Sequence, residues 1–211
     1  MFSRKMMPLE HAIIGYIAFS IFVHVVYREP PTSMEAIIVI LASILPDLID
    51  KPLAWEFGFF TSGRAIAHSI FFAIPLVIAV FLIAKRREKT RLGLAFGIGY
   101  LLHLPADVIP TYLMEGEVRI DRIMWPLREE SDGYDAGFRE EFVGNIGSYL
   151  TWLSEQIASG NPDPAVFVLG ALITFGILLW AYDGMPVARD IYVIGRRSLR
   201  KLVSTAENRI L

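Results

Sequence analysis

Long apolar segments are the feature that most constrains this chain. Residues 165–182 contain no charged residue, and residues 65–84 contain only His68 as an ionisable group. About 20 such residues suffice to cross a hydrocarbon core about 30 Å thick. Overall, 54% of the 211 residues are hydrophobic, 20% are charged and the mean hydropathy is +0.48. The sequence therefore predicts an all-α integral membrane protein, a bundle of transmembrane helices.

Three shorter apolar segments bring the predicted number of transmembrane helices to about five. These segments are residues 12–27, 36–46 and 92–106. At 1.5 Å per residue, residues 36–46 cover only about 16 Å, so we expect that helix to continue through Asp47 and Asp50. Those carboxylates would then lie below the lipid headgroups, in a polar pocket recessed into one leaflet.

Ionisable side chains of metal-ligand type cluster at the ends of the apolar segments. If the chain crosses the membrane at each segment, all of them reach one face, where such residues usually serve a function. Cysteine is absent, so a metal would bind nitrogen and oxygen ligands, with zinc favoured over manganese or iron. The predicted metal ligands are His11, Asp47, Asp50, His68, His103 and Asp107.

Spacing supports parts of this set. His103 and Asp107 lie four residues apart and would share one helix face, and Asp47 and Asp50 lie three apart. Pro105 lies between the first two, and we expect it to disturb the helix and let it end near the site. Arg64 would pair with an anionic substrate oxygen or with one of the aspartates.

Each element also has a structural explanation. Asp47 and Asp50 could be helix-end residues paired with Lys51 and Arg64, His68 a polar residue in water, and His103 and Asp107 a hydrogen-bonded pair. These explanations do not predict a shared face, which favours a functional set. His24 lies far from His11 along the first segment, so we interpret it as a histidine hydrogen-bonded within the bundle. Small residues in an apolar helix favour close packing, as expected for Gly93, Gly97 and Gly99.

Basic residues predict the topology. The loop of residues 85–91 and the tail after residue 184 are rich in Lys and Arg, which favours the cytoplasm for both. The cluster and the N-terminus would then lie on the extracytoplasmic face of the cell membrane. Arg4 and Lys5 argue for the opposite N-terminal orientation, which would remove His11 from the site.

Four regions follow from this topology. Residues 1–110 form a four-helix membrane core carrying the metal site, residues 111–163 an extramembrane cap, residues 164–184 the fifth transmembrane helix and residues 185–211 a basic cytoplasmic tail. Within the cap, residues 144–158 are either an amphipathic interfacial helix or a solvated loop.

Three sequence blocks resemble a known family. Residues 44–50 (ILPDLID), residues 63–69 (GRAIAHS) and residues 99–107 (GYLLHLPAD), with His11 before them and Trp125-Pro126 after them, are similar to the membrane-bound metal-dependent hydrolases that include bacterial YdjM-type proteins. The resemblance covers residues 8–127. It implies a membrane-embedded metal-dependent hydrolase, distantly similar to zinc-dependent phospholipases C, with the same six residues as metal or catalytic candidates. Many members carry the second acid two positions after the first; here two residues intervene, which leaves Asp50 either a ligand or a residue supporting the ligands.

The expected reaction is hydrolysis of a phospholipid or another lipid phosphoester by a metal-activated water. Asp50 or Asp107 would accept the proton of that water, and Arg64 would hold the phosphoester oxygens. The net charge of −2 gives no field that would attract nucleic acid, so membrane lipid is the expected partner. No residue pattern specifies an oligomeric state. The alternatives are a non-catalytic metal-binding scaffold or regulatory protein and, less favoured because no internal symmetry is visible, an ion transporter.

Overall fold

The computed structural model describes residues 6–130 and 137–210, which form seven α-helices and contain no strand. The all-helical class is therefore confirmed. Arg4, Lys5 and residues 131–136 of the predicted cap lie outside the described residues. The helices are α1 (Pro8–Val26), α2 (Ser33–Trp55), α3 (Ile70–Arg86), α4 (Thr90–Glu115), α5 (Phe138–Ala158), α6 (Pro164–Tyr182) and α7 (Ala188–Ile210), with a short 3-10 helix at Ile120–Ile123 between α4 and α5.

Helix α4 is the centre of the bundle and packs against α1, α2 and α3, while α6 packs against α1. Small residues make these approaches close. A Cβ atom on Gly99 would lie 2.5 Å from the carbonyl oxygen of Val39, and one on Gly93 would lie 2.9 Å from the Cβ atom of Ala84. The interpretation of these glycines as helix-packing positions is confirmed.

Two helix boundaries differ from the sequence expectation. Helix α3 begins at Ile70 with Ser69 as its N-cap, so residues 65–69 of the predicted span are not helical. Helix α4 continues through Pro105 to Glu115 and ends at Gly116, whose φ is 73°. The expected end near Pro105 is wrong: proline removes one intrahelical hydrogen bond, and the buried packing of α4 on both sides of that position outweighs the loss.

Three helices are long and apolar enough to cross a membrane: Pro8–Val26, Thr90–Tyr112 and Pro164–Tyr182. Helix α2 does continue through Asp47 and Asp50, as expected, but it carries four charged residues. Helix α3 has only 17 residues because its first turn is replaced by an irregular segment. A membrane bundle is therefore supported, whereas five crossings, and the topology built on them, stay predictions.

Candidate metal centre

All six predicted ligands lie at one end of the bundle. His11 is in the first turn of α1, Asp47 and Asp50 are in the second half of α2, His68 precedes α3, and His103 and Asp107 are in α4. Each is at most 5% exposed. The helices alternate in direction, so residues separated by almost 100 positions in sequence converge on one buried point.

The donor atoms lie within a few tenths of an ångström of the separations between ligands of one ion. Nε2 of His68 lies 3.0 Å from Nε2 of His103, 3.4 Å from Oδ1 of Asp47 and 3.6 Å from Oδ2 of Asp107. Nε2 of His103 lies 3.9 Å from the same two carboxylate oxygens. Tetrahedral ligands bound 2.0–2.2 Å from zinc are about 3.3–3.6 Å apart. The residues therefore fit a divalent ion.

Hydrogen bonds fix the orientation of two of the rings. Nδ1 of His103 lies 2.7 Å from the carbonyl oxygen of Ser43, which can only accept, so Nδ1 carries the proton. Nδ1 of His68 donates in the same way to Oδ2 of Asp50, at 2.8 Å. In a neutral imidazole the other nitrogen then has a lone pair, so two lone pairs face each other at 3.0 Å. That contact is repulsive unless a cation or a proton lies between the rings.

Asp50 supports His68 rather than joining the donor atoms. Its Oδ2 accepts hydrogen bonds from the backbone N–H groups of Ala65 (2.7 Å) and His68 (3.0 Å), and its Oδ1 accepts from Ala67 (3.0 Å). It is fully buried and belongs to neither of the ligand groups found in the described part of the chain. These bonds hold residues 65–68 in an irregular conformation, which is why α3 begins late. The geometry does not favour Asp50 as a ligand or as a proton acceptor.

Asp47 pairs with a lysine and also faces the imidazoles of the cluster. Nζ of Lys51, one helical turn away, lies 2.8 Å from Oδ2 of Asp47, while Oδ1 faces His68 and His103. The lysine thus offsets part of the carboxylate charge without occupying the oxygen that faces the imidazoles. The pairing with Lys51 is present, and the binding of a metal by Asp47 stays a prediction.

His11 completes the group from α1. Its ring stacks on that of His103 with the centroids 4.0 Å apart, and its Nε2 lies 3.3 Å from Oδ1 of Asp107. Nδ1 of His11 is buried and makes no hydrogen bond within residues 6–130 and 137–210. A buried polar atom without a partner is costly, and an additional ligand or ion is one way to satisfy it.

Arginines from two segments cover the cluster: Arg64 precedes α3, and Arg119 and Arg122 follow α4. Nε of Arg64 lies 2.7 Å from Oδ2 of Asp107, so Arg64 pairs with an aspartate, one of its two predicted partners. Nη1 of Arg64 also lies 3.2 Å from Oε2 of Glu130, and Oε1 of Glu130 accepts from Arg119 (3.0 Å) and Arg122 (3.3 Å). Glu130 is 4% exposed, so this network closes over Asp107.

Further contacts fasten this cover. Nη1 of Arg122 donates to the carbonyl oxygen of Asp107 (2.7 Å) and to Oγ1 of Thr111 (2.6 Å). Arg119 also hydrogen-bonds Asp121, which lowers the pKa of that carboxyl group below its ordinary value. Oγ of Ser69 donates to the carbonyl oxygen of Trp125 at 2.6 Å. The segment that follows α4 is therefore anchored to α3, to α4 and to the loop before α3.

A cavity of about 200 Å³ adjoins this cover. Arg64 and Glu130 form its polar side, and the rings of Phe60 and Trp125, 5.7 Å apart and nearly perpendicular, contribute to its apolar side. Its full lining is Phe59, Phe60, Thr61, Ser62, Arg64, Ala65, Trp125, Glu129 and Glu130. Because Arg64 reaches both this cavity and Asp107, one side chain links the two.

Sequence reasoning missed Arg119, Arg122 and Glu130 as parts of the site. They lie outside the apolar segments, and no spacing relates them to Arg64 or Asp107. His24, in contrast, is where it was expected: Nε2 of His24 lies 2.7 Å from Oδ1 of Asp183, at the other end of α1, which confirms its interpretation.

The family comparison agrees with the membrane bundle and is silent on its chemistry. No curated protein and no solved structure matches the chain. The sequence profile of the YdjM inner membrane proteins matches residues 6–185, a stretch that contains the complete cluster, the arginine cover and α6. The chain is a member of the YdjM inner membrane protein family.

Proposed function

We propose that this protein is a membrane-embedded metal-dependent hydrolase of phosphoesters. The observation that carries the proposal is the approach of Nε2 of His68 to within 3.0 Å of Nε2 of His103, with carboxylate oxygens of Asp47 and Asp107 lying 3.4 and 3.6 Å from the same His68 atom. The Nδ1 atoms of the two histidines are held by a carboxylate and a carbonyl, the arrangement that orients histidine ligands in metal sites. A proton between the rings would also relieve the repulsion of the two nitrogens. Two imidazoles and two carboxylate oxygens around one buried point are nevertheless the donor set of a divalent cation, which we propose as the occupant.

The site would hold one ion. Two groups of donor atoms lie within 4.8 Å of one another: those of His11, Asp47 and His103, and those of His68, His103 and Asp107. They share His103, whose Nδ1 is already bonded to Ser43. The remaining nitrogen has one lone pair and can bind one ion only. The two groups are therefore alternative descriptions of one site, for which zinc is favoured and manganese or iron would suit a six-coordinate arrangement.

A divalent ion at this site would supply Lewis acidity and would lower the pKa of a bound water to about 7. The protein supplies the remaining functions. Whichever of Asp107 and Asp47 does not bind the ion is the carboxylate within reach to accept a proton, since Asp50 is saturated by N–H donors. Arg64 holds one oxygen of Asp107 and borders the cavity, so its guanidinium is placed to bind an oxyanion of the substrate.

The cavity has one basic side chain, Arg64, beside two acidic ones, Glu129 and Glu130, and an apolar side. We propose that an anionic group of the substrate replaces Glu130 on Arg64, while Phe60 and Trp125 contact its apolar part. In a protein whose helices suit a bilayer, this combination favours a phospholipid or lipid phosphoester over a soluble metabolite. The extracytoplasmic face for the site, with a cytoplasmic C-terminal tail, belongs to the same proposal, because basic loops favour the cytoplasm.

A non-catalytic metal-binding protein is the second candidate. Five side chains, His11, Asp47, His68, His103 and Asp107, surround the point between the imidazoles. Catalytic zinc sites use three protein ligands and keep a position open, whereas structural sites are closed. If more than three of the five bind at once, the ion would tie α1, α2 and α4 together without turnover.

Metal content of the purified protein tests the common basis of both candidates. We expect one equivalent of zinc, manganese or iron in the wild type and its loss in His103→Ala and in Asp47→Asn, with His24→Ala as the matched control that keeps it. Thermal unfolding in detergent shows whether each variant folds. Folded wild-type protein that contains no metal, and binds none when metal is added, contradicts the proposal.

Turnover separates the hydrolase from the metal-binding scaffold. The assay follows release of phosphate or of a phosphorylated headgroup from a panel of phospholipids and lipid phosphates in mixed micelles. The hydrolase requires turnover that disappears with chelator and with Asp47→Asn. Metal-loaded protein that hydrolyses no member of the panel supports the scaffold instead.

A further inference from the structure

Helix α7 leaves the bundle from a fixed point beside α6. Only five residues separate α6 from α7, and within them Pro186 is fully buried. The backbone N–H of Val187 donates to Oγ of Ser33, the first residue of α2, at 2.7 Å, and Nε1 of Trp180 donates to the carbonyl oxygen of Pro186 at 3.1 Å. Val187 has a φ of 71°, which a β-branched residue adopts only when its surroundings hold it. The start of α7 is therefore anchored at the end of the bundle.

This end of the bundle has the features of a membrane surface. Arg91 pairs with Glu29 and Glu35 and lies over the ring of Tyr27, 5.0 Å from its centroid. Tyr182, the last residue of α6, is 77% exposed. Tyrosines and charged residues at the ends of apolar helices are typical of the headgroup region. Helix α7 thus begins just after α6, a helix long and apolar enough to cross a membrane.

The first half of α7 exposes apolar side chains that no other part of the described chain covers. Ile191 and Tyr192 are 66% and 67% exposed. They lie three and four residues after Ala188, so at 100° per residue the three share one face. Such a face is unfavourable in water, and it continues directly from a helix suited to a bilayer.

Basic residues lie beside this apolar face. Arg189, Arg196 and Arg200 are spaced seven and four residues apart, which places them in one stripe along the helix, and Arg197 lies farther from the apolar face. Helix α7 carries six basic and two acidic residues in all, a net charge of +4. An apolar face with a cationic face next to it matches a membrane surface with anionic headgroups.

We propose that α7 lies on the membrane surface, with Ile191 and Tyr192 among the acyl chains and with Arg189, Arg196 and Arg200 bound to the headgroups of anionic phospholipids. The charge complementarity and the continuity with α6 select this partner over a second copy of the chain, whose α7 would carry the same positive charge. Anionic lipid then orients the C-terminal helix. This binding is separate from the metal centre, which lies at the other end of α1.

Spin labelling of the full-length protein tests the proposal, and the absence of cysteine makes single-site labelling direct. Ile191→Cys and Arg197→Cys are labelled with a nitroxide in nanodiscs of phosphatidylcholine with or without phosphatidylglycerol. With phosphatidylglycerol, we expect the label at 191 to be relaxed by oxygen and shielded from a water-soluble nickel chelate, and the label at 197 to show the reverse. Without it, the shielding at 191 falls by several-fold.

Charge removal supplies the matched control. Replacing Arg189, Arg196 and Arg200 by Gln in the Ile191→Cys background is expected to abolish the effect of phosphatidylglycerol. Replacing Lys85, Arg86 and Arg87, three basic residues outside α7, leaves the effect unchanged. The proposal fails if the label at 191 is equally open to the nickel chelate in both lipids. It also fails if shielding comes with dipolar broadening between labels, because that result identifies a second copy as the partner.

Discussion

Replacing Asp50 by Asn tests whether Asp50 supports a metal ligand or binds the metal itself. The substitution keeps the size of the side chain. In the wild type, Oδ2 of Asp50 accepts hydrogen bonds from the backbone N–H groups of Ala65 and His68 and from the His68 ring, and the single carbonyl oxygen of asparagine can take its place. The amide group then faces the N–H of Ala67, so that hydrogen bond is lost and two donors oppose each other. A hydrogen bond to a charged group contributes about 1.5–3 kcal/mol, so we expect the free energy of unfolding to fall by about 3 kcal/mol.

The effect on the metal follows from the ring of His68. With a neutral partner at Nδ1, the imidazole is a weaker base and is less firmly oriented. Loss of such a supporting partner typically weakens metal binding by about 10–100-fold, or about 1.4–2.8 kcal/mol. We therefore expect Asp50→Asn to bind one equivalent of metal with that reduced affinity, measured by titration against a chelator of known affinity.

Asp183→Asn is the matched control for this experiment. Asp183 is a second buried carboxylate, at the opposite end of the bundle, and it accepts hydrogen bonds from Tyr16 (2.6 Å) and Ser20 (2.8 Å) and contacts His24. Its replacement should destabilise the protein by a similar amount and leave the metal affinity unchanged. The reasoning is refuted if Asp50→Asn removes metal as completely as His103→Ala, since Asp50 would then be a ligand, or if its metal affinity equals that of the wild type.

Three further predictions address the packing, the cover and a helix cap. Gly99→Ala should destabilise the bundle by about 1–3 kcal/mol in thermal unfolding, because the new methyl group would meet the Val39 carbonyl. Its control is Gly147→Ala, on an open part of α5, which should be neutral or stabilising. Equal effects of the two substitutions would contradict the close approach of Gly99 to Val39. Arg64→Lys should reduce lipid phosphoester turnover by about 10–100-fold with metal retained, since an ammonium group cannot hold Asp107 and Glu130 in the same fork geometry. An unchanged kcat/KM would show that Arg64 does not contact the substrate. Ser69→Ala should lower the stability by about 1 kcal/mol, because the N-cap of α3 and the hydrogen bond to Trp125 are lost. Ser154→Ala, exposed on α5, should leave the stability unchanged. Hydrogen exchange in the first turn of α3 measures the difference.

The sequence was sufficient to predict those parts of the site that depend on helix periodicity and on the alternating direction of successive helices. His103 and Asp107 are one turn apart on a single helix, and α2 had to continue past Asp47 to be long enough for a crossing. Because successive helices reverse direction, His11 and His68 were expected at the same end as these residues, and the structure brings them there.

Other features depend on contacts that no local pattern records. A spacing of three residues relates Asp50 to Asp47 but does not reveal that Asp50 binds three backbone N–H groups of a distant loop. For the same reason the late start of α3 was not predicted, since apolar residues before Ile70 continue the hydrophobic pattern. Glu130 can be recognised as part of the site only from its contacts with Arg64, Arg119 and Arg122 in the structure. The identity of a bound ion or substrate requires measurement.

The buried position of the cluster has a kinetic consequence. In the described part of the chain, the arginines and Glu130 lie across Asp107 and the candidate ligands are at most 5% exposed, so this cover stands between solvent and an ion bound to His68 and His103. Exchange would require that cover to open, so soaking purified protein in a second metal should replace the first only slowly. The ion recovered from cells would then report which metal was supplied during biosynthesis, and altering the growth medium would be the effective way to change it.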